Sequence, residues 1–179
     1  VNTEIAIKKL TPQDCTLEAF SKFNRYQQVK RCWRKEDGKW RLADIPFTED
    51  WNDAKKAVVI DSLRRGVQQG GVLIAALSSD DIIGFSSISN QLFGARLEYI
   101  QLEMLHVSYE FRNRGIGKDL FRAICSAARE LSVKKLYISA HSSEDSQAFY
   151  KSIGCVEAVE LNQKLFEAEP FDVHMEYIL

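Results

Sequence analysis

Cysteine is scarce and unpatterned in this chain of 179 residues: Cys15, Cys32, Cys125 and Cys155 are scattered, with no CxxC pair. That spacing suits neither a zinc site nor a disulfide framework. Cys125 falls in an apolar helical stretch and reads as a buried, inert thiol. The three histidines, His106, His141 and His174, lack HExxH spacing, so no metal is expected. Proline is rarer still (Pro12, Pro46 and Pro170), and no repeat or low-complexity segment interrupts the chain. No apolar run approaches the ~20 residues of a bilayer span, and no leader pattern is read at its start. The expectation is a cytoplasmic protein without membrane contact. Neither sign of charge dominates, since Lys+Arg 24 against Asp+Glu 25 leaves a net charge of −1. That balance argues against a partner held by phosphate neutralisation, so no nucleic acid is expected.

What is present is a core. Apolar residues make up 45% of the chain, with 10 Phe, 6 Tyr and 3 Trp. A single domain over 1–179 of this size buries roughly two thirds of its unfolded surface without staples. Leu17, Phe20 and Phe23 recur at three-residue spacing after Thr11-Pro12, which predicts a helix over 11–29. Asp37-Gly38 predicts the two-residue turn of a hairpin over 29–45. A helix is expected from Trp51 to Gln69, stopped by Gly70-Gly71, then a hairpin of Val72–Leu77 and Ile82–Ile88. Tyr99–Val107 reads as a strand whose alternation slips: Ile100, Leu102 and Met104 are apolar, and after them Leu105 and Val107. A β-bulge writes that pattern, as does a central strand covered on both faces. Ile116, Leu120, Ile124, Ala127 and Leu131 then mark one face of a helix. A strand at Lys135–Ala140, a short helix over about 145–152 opened by Ser142 or Ser143 and closed by Gly154, and strands at Val156–Val159 and Val173–Ile178 complete the order. Together they predict one mixed sheet with helices on both faces.

Chemistry is concentrated where the 99–107 strand meets the following helix. Arg112-Asn113-Arg114-Gly115-Ile116-Gly117-Lys118 places two glycines and three cations at a helix start. The first amides of a helix lack partners and its dipole favours an anion, while glycine lets backbone approach a phosphate. A pyrophosphate cradle follows. It is neither a Walker loop, since Lys118 is followed by Asp119, nor a dinucleotide fingerprint, since Leu120 stands at the third glycine position.

Arg112-x-x-Gly115-x-Gly117 resembles the acetyl-CoA loop of the GNAT superfamily of N-acetyltransferases. One helix and one strand later, Ser146-Gln147-Ala148-Phe149-Tyr150-Lys151-Ser152-Ile153-Gly154 resembles that family's A-x-x-F-Y-x-x-x-G-F helix. The resemblance implies an α/β (α+β) fold with a mostly antiparallel central sheet and a splayed, bulged strand 99–107. It divides the chain into a variable acceptor-side half, 1–71, and an acetyl-CoA-binding core, 72–179. Acetyl-CoA would be the co-substrate, its pantetheine paired with backbone at Leu105, His106 and Val107. Its pyrophosphate would lie over Arg112, Asn113, Arg114, Gly115, Ile116, Gly117 and Lys118, with Ser143, Ser146, Phe149 and Tyr150 along the other wall. Two positions depart from the pattern: Ser143 stands where many members have Asn, and Cys155 replaces the usual Phe.

The implied reaction is acyl transfer to a primary amine, most simply of a small molecule. Tyr150 would protonate the leaving thiolate. Glu103 would take the proton of the amine, since Glu103-Met104-Leu105-His106-Val107 resembles the E-D-I-A-V stretch of streptothricin acetyltransferases. A merely solvated Glu103 is the plainer alternative. A protein or peptide N-acetyltransferase and a non-catalytic acyl-CoA-binding regulatory module remain alternatives for the whole chain. The one-sided hairpin 29–45, with Val29, Trp33, Trp40 and Leu42 expected on one face, must cover the core, the partner of a homodimer, or the acceptor cleft.

Overall fold

The computed structural model describes residues 4–179. Among these residues nine strands and four α-helices run in the order β1 (Ile5–Lys9), β2 (Gln27–Glu36), β3 (Lys39–Glu49), α1 (Asp53–Gln68), β4 (Val72–Ser78), β5 (Asp81–Phe93), β6 (Tyr99–Val107), α2 (Ile116–Glu130), β7 (Lys135–Ala140), α3 (Glu144–Ser152), β8 (Val156–Glu157), α4 (Gln163–Ala168) and β9 (Val173–Ile178). Seven strands form one sheet in the order β1-β4-β5-β6-β7-β9-β8. Within it only β6 and β7 are parallel, so the sheet is mostly antiparallel.

Each face of the sheet has its own helix. Alternating side chains of β4 separate the two cores: Val72, Ile74 and Ala76 join the cluster under α2, while Leu73 and Ala75 join the one under α1. The α2 side is filled by Ile116, Leu120, Ile124 and Ala128 against Ile100, Leu102, Leu136 and Ile138, and Cys125 is buried there too. Leu131, which the sequence places on this face, instead caps the helix end and is exposed. The α1 side is aromatic. Phe20 and Phe23 pack on Phe85 with ring centroids 5.5 and 5.2 Å away.

The segment expected to be a helix over 11–29 is not one. Pro12–Asp14 makes a single 3-10 turn, closed when Asp14 accepts from the Thr11 amide at 2.7 Å. Thr16 accepts from the Ala19 amide at 3.2 Å, starting another short turn. Such local side-chain bonds compete with a continuous helix. Phe20 and Phe23 are buried as expected, whereas Leu17 is exposed. Strand β1 and helix α4 lie outside the expected elements, and Val156–Val159 contributes only the two-residue β8.

The hairpin is longer than expected, 27–49, but its register is the one the Asp37-Gly38 turn dictates. Glu36 faces Lys39, Lys35 faces Trp40, Trp33 faces Leu42 and Arg31 faces Asp44. Asp37 and Gly38 both have positive φ, 50° and 74°, the geometry that matches strand twist. A register shift between Val29 and Arg31 then carries Val29 into burial with Cys32. The hairpin docks on the start of α3. The Trp33 amide donates to the Ser142 carbonyl at 2.8 Å, Cys32 bridges to Ser143, and Arg31 forks onto Glu144 at 2.9 and 2.6 Å. Trp40 leans on the α2-side core and donates to Glu157 at 3.3 Å.

Candidate active site

The slip of phase in β6 is a bulge. The strand pairs with β5 from Gly84–Val107 to Ser87–Met104, skips Glu103 and resumes at Ile88–Leu102. The extra residue turns Leu105 and Val107 onto the α2 face beside Ile100 and Leu102, and Met104 onto the α1 face. Along its other edge β6 pairs with β7 only from Tyr99–Lys135 to Leu102–Ile138. Both strands run on, to Val107 and Ala140, without meeting. The sheet is split there, and the split leaves an edge of β6 backbone at Leu105, His106 and Val107.

The loop at the head of the split is built from backbone. Asn113 and Gly115 have φ of 61° and 84°, and α2 begins at Ile116. The amides of Lys118 and Asp119 both reach the Gly115 carbonyl, at 3.0 and 3.1 Å. Those before them are the helix's free N-terminal donors. Arg112 is half-buried and its Nε donates to the Val107 carbonyl at 3.0 Å, fastening the loop to the strand end. Arg114 and Lys118 are exposed at the mouth. The glycines serve different ends. A Cβ on Gly115 would meet nothing within 4 Å, so glycine is there for the left-handed backbone; one on Gly117 would press on the Phe149 ring at 3.1 Å.

Helix α3 forms the opposite wall. Ser143 caps it, accepting from the Ser146 amide at 3.3 Å and donating to the Ser146 hydroxyl at 2.9 Å. The Ser143 hydroxyl is thus engaged by the helix start. Phe149 and Tyr150 follow one turn on, their rings 5.2 Å apart. Burial pushes the Tyr150 phenol well above its usual range, with Cys155 and Asp172 adding to the shift, so the hydroxyl stays protonated.

On the α1 side the bulge presents Glu103. Glu103 is exposed at the cleft mouth, and partial desolvation by the neighbouring α1 raises its carboxyl above the ordinary glutamate value, with no charged neighbour to offset that rise. His106 is held differently. Burial, then Arg25, then Arg112 push its pKa down to about 3. Arg25 Nε donates to His106 Nδ1 at 3.2 Å, and Arg25 Nη2 pairs with Glu49 at 2.9 Å. A guanidinium has only donors, so Nδ1 must accept and the ring proton sits on Nε2. Arg25 was missed in the sequence because its partners lie 81 and 24 residues away. His141 stands apart from both, its Nδ1 accepting from the Ser143 amide at 3.0 Å.

The chain belongs to the acetyltransferase (GNAT) family, whose model matches residues 36–155, more than half of its length. Its fold is that of solved GNAT structures. A nourseothricin acetyltransferase superposes with a TM-score of 0.71 at 18% identity, covering 97% of this chain and 98% of that one. A protein of Bacillus anthracis described as a streptothricin acetyltransferase, in complex with acetyl coenzyme A, gives 0.69 at 16% identity over 100% and 98%. The PaiA N-acetyltransferase of Thermoplasma acidophilum, in complex with coenzyme A, gives 0.60 at 14% identity over 98% and 99%. No curated protein matches the chain in sequence. Among the described residues no helix is long and apolar enough to cross a membrane.

Proposed function

We propose that this protein transfers the acetyl group of acetyl-CoA to a primary amine of a small molecule. The observation that carries the reading is the split between β6 and β7, which begins past Leu102–Ile138 and is headed by the free amides before Lys118. These residues suit an extended thioester ending in a pyrophosphate. Backbone at Leu105, His106 and Val107 offers a strand edge to its amides, and Asn113, Arg114, Gly115, Ile116 and Gly117 offer N–H groups to its phosphates, with Arg112 and Lys118 adding charge. Ser143, Ser146 and Phe149 line the facing wall, Ser143 by backbone and packing because its hydroxyl is engaged, and Ser146 with its hydroxyl proton still free to donate.

The chain's own residues supply the proton steps. An alkylammonium must lose a proton before it can attack a carbonyl, and Glu103, its carboxylate made more basic by partial desolvation, accepts it. The Val107 amide is the backbone donor placed for the developing oxyanion. Tyr150, held protonated, donates to the departing thiolate. His106, neutral and pinned by Arg25, stays out of the proton transfer near neutral pH.

The test is thiol release from acetyl-CoA over a panel of amines, with wild type beside Tyr150→Phe. The expected result is amine-dependent release by wild type, lowered ~10²–10⁴-fold in the variant with CoA affinity kept. Wild-type turnover in Tyr150→Phe would make the tyrosine a packing residue. Absence of release with every amine, peptides included, would overturn the reading.

A further inference from the structure

Helix α1 contains one glycine, Gly66, two residues before its end. Glycine there costs the helix about 1 kcal/mol against alanine, so its presence calls for a reason. Backbone strain is not the reason, because the residue has ordinary helical φ. Close packing is not the reason either: a Cβ on Gly66 would meet only one atom within 4 Å, Glu103 Oε2 at 3.9 Å. What the missing methyl leaves open is a cleft of about 230 Å³ between α1 and the sheet. Its apolar side chains are Leu63, Val67 and Met104, and it is also bordered by Val72 and Ile88, which belong to the α2-side core. Its polar groups are few: Ser62, Ser87, Gln101 and Glu103.

Ser87 is the second observation. It pairs across the sheet with Met104, so its side chain shares the α1 face, and it is 95% buried, with 5% of its surface exposed. Its hydroxyl has no hydrogen-bond partner among the described residues. The neighbouring Ser86 faces α2 and does find one, the Leu120 carbonyl at 3.4 Å. A buried hydroxyl without a partner costs about 1–3 kcal/mol. Ser87 therefore carries the cost of a partner that arrives in the cleft, and the carboxylate of Glu103 lies beside it.

We infer that this cleft is the acceptor subsite, that it takes a primary amine carried on an unbranched aliphatic arm, and that Gly66 sets its specificity. The inference rests on the acetyl-transfer reading above. The ammonium lies between Glu103 and Ser87, donating to the carboxylate and to the Ser87 hydroxyl, beside the bulge of β6. The arm lies against Leu63, Val67 and Met104. At ~30 Å³ for each water-sized group, the cleft holds about eight such groups, the size of a seven-carbon amine, and a straight arm is the shape that lies along Leu63, Val67 and Met104.

The experiment measures KM over straight-chain alkylamines of increasing length, with benzylamine and isopropylamine as bulky controls, by thiol release from acetyl-CoA. It uses wild type, Gly66→Ala and Ser87→Ala, each with its melting temperature. Wild type is expected to show KM falling as the straight chain lengthens, and the controls to be poor acceptors. Gly66→Ala is expected to raise KM for the longer amines roughly tenfold, the scale of one methyl group in a pocket, while its melting temperature rises because the helix gains an alanine. Ser87→Ala is expected to raise KM for every straight-chain amine severalfold without destabilising the fold. Stability and acceptor affinity thus move in opposite directions, which no packing defect produces. An unchanged KM in both variants, or benzylamine as good as the straight chains, would overturn the subsite while leaving acetyl transfer intact. Absence of transfer to every amine would instead remove the reading beneath it.

Discussion

The two faces of the central sheet solve different problems with different materials. Beneath α2 the chain buries a continuous apolar cluster, and the chemistry at its rim is made of backbone: free amides, two glycines and an unpaired strand edge. Beneath α1 it buries an aromatic cluster through which a guanidinium, an imidazole and a carboxylate are threaded. Trp51 stands edge-on to His106, ring centroids 5.1 Å apart, and Arg25 is 9% exposed. Backbone amides recognise any phosphate and need only a local motif. Side chains recognise one shape and charge, and must be gathered from distant parts of the chain. A face built of backbone suits a constant donor, and a face built of side chains suits a particular acceptor.

That contrast is sharpest in the loop. Gly117→Glu puts a carboxylate where phosphate would lie and forces the Phe149 ring aside, since even a Cβ sits 3.1 Å from it. At acetyl-CoA one hundred times its Kd, wild type should gain about 2.7 kcal/mol of stability and the variant none, read as a thermal shift. An equal shift in both proteins would dissolve the distinction between the faces.

The hairpin tests the contrast from the other direction. Trp40 is half-buried against the α2-side core, so Trp40→Ala should cost about 2 kcal/mol in a denaturant titration, less than the ~3–5 kcal/mol of a fully buried aromatic. Acceptor KM should follow only as far as α3 loosens. A selective rise in KM at unchanged stability would make the hairpin a lid instead.

The smallest effect belongs to His106, whose folded pKa lies at about 3 against 6.5 for an ordinary histidine. Between those values the unfolded chain binds a proton that the folded one refuses, so stability falls as pH drops through that window. The first unit below pH 6.5 should cost ~1 kcal/mol. His106→Gln keeps an oxygen to accept from Arg25 and should remove that part of the slope. Identical pH–stability curves would mean that the imidazole is protonated normally.

Much of the α2 face was legible in the sequence, and little of the α1 face was. The phase slip at Met104–Leu105 is the bulge, and the glycine pair with its arginines marks the start of α2, because each of these signals lies within a dozen residues. The turn at Asp37-Gly38 dictates the hairpin register as far as Arg31–Asp44 for the same reason, and the shift beyond it moves Val29 off the face it is expected to share with Trp33. The helix expected over 11–29 failed because Thr11, Asp14 and Thr16 spend their side chains on local turns. Arg25 carried no signal at all: its meaning lies in partners supplied by strands far along the chain. Gly66 did carry one, a lone glycine inside a helical pattern, which marks either weakness or a neighbour that needs room.

The split between β6 and β7 also makes this a sheet with an open seam in its interior. An unpaired strand edge is a template for any extended chain, and proteins usually blunt theirs at the sheet margins with charge, bulges or short strands. Here the seam lies among the central strands, and Arg112 closes only the Val107 carbonyl at its end. A bound pantetheine would act as the missing strand, in the manner of β-augmentation. The supply of co-substrate would then set how often the seam stands exposed, linking the protein's resistance to aggregation to the concentration of acyl-CoA.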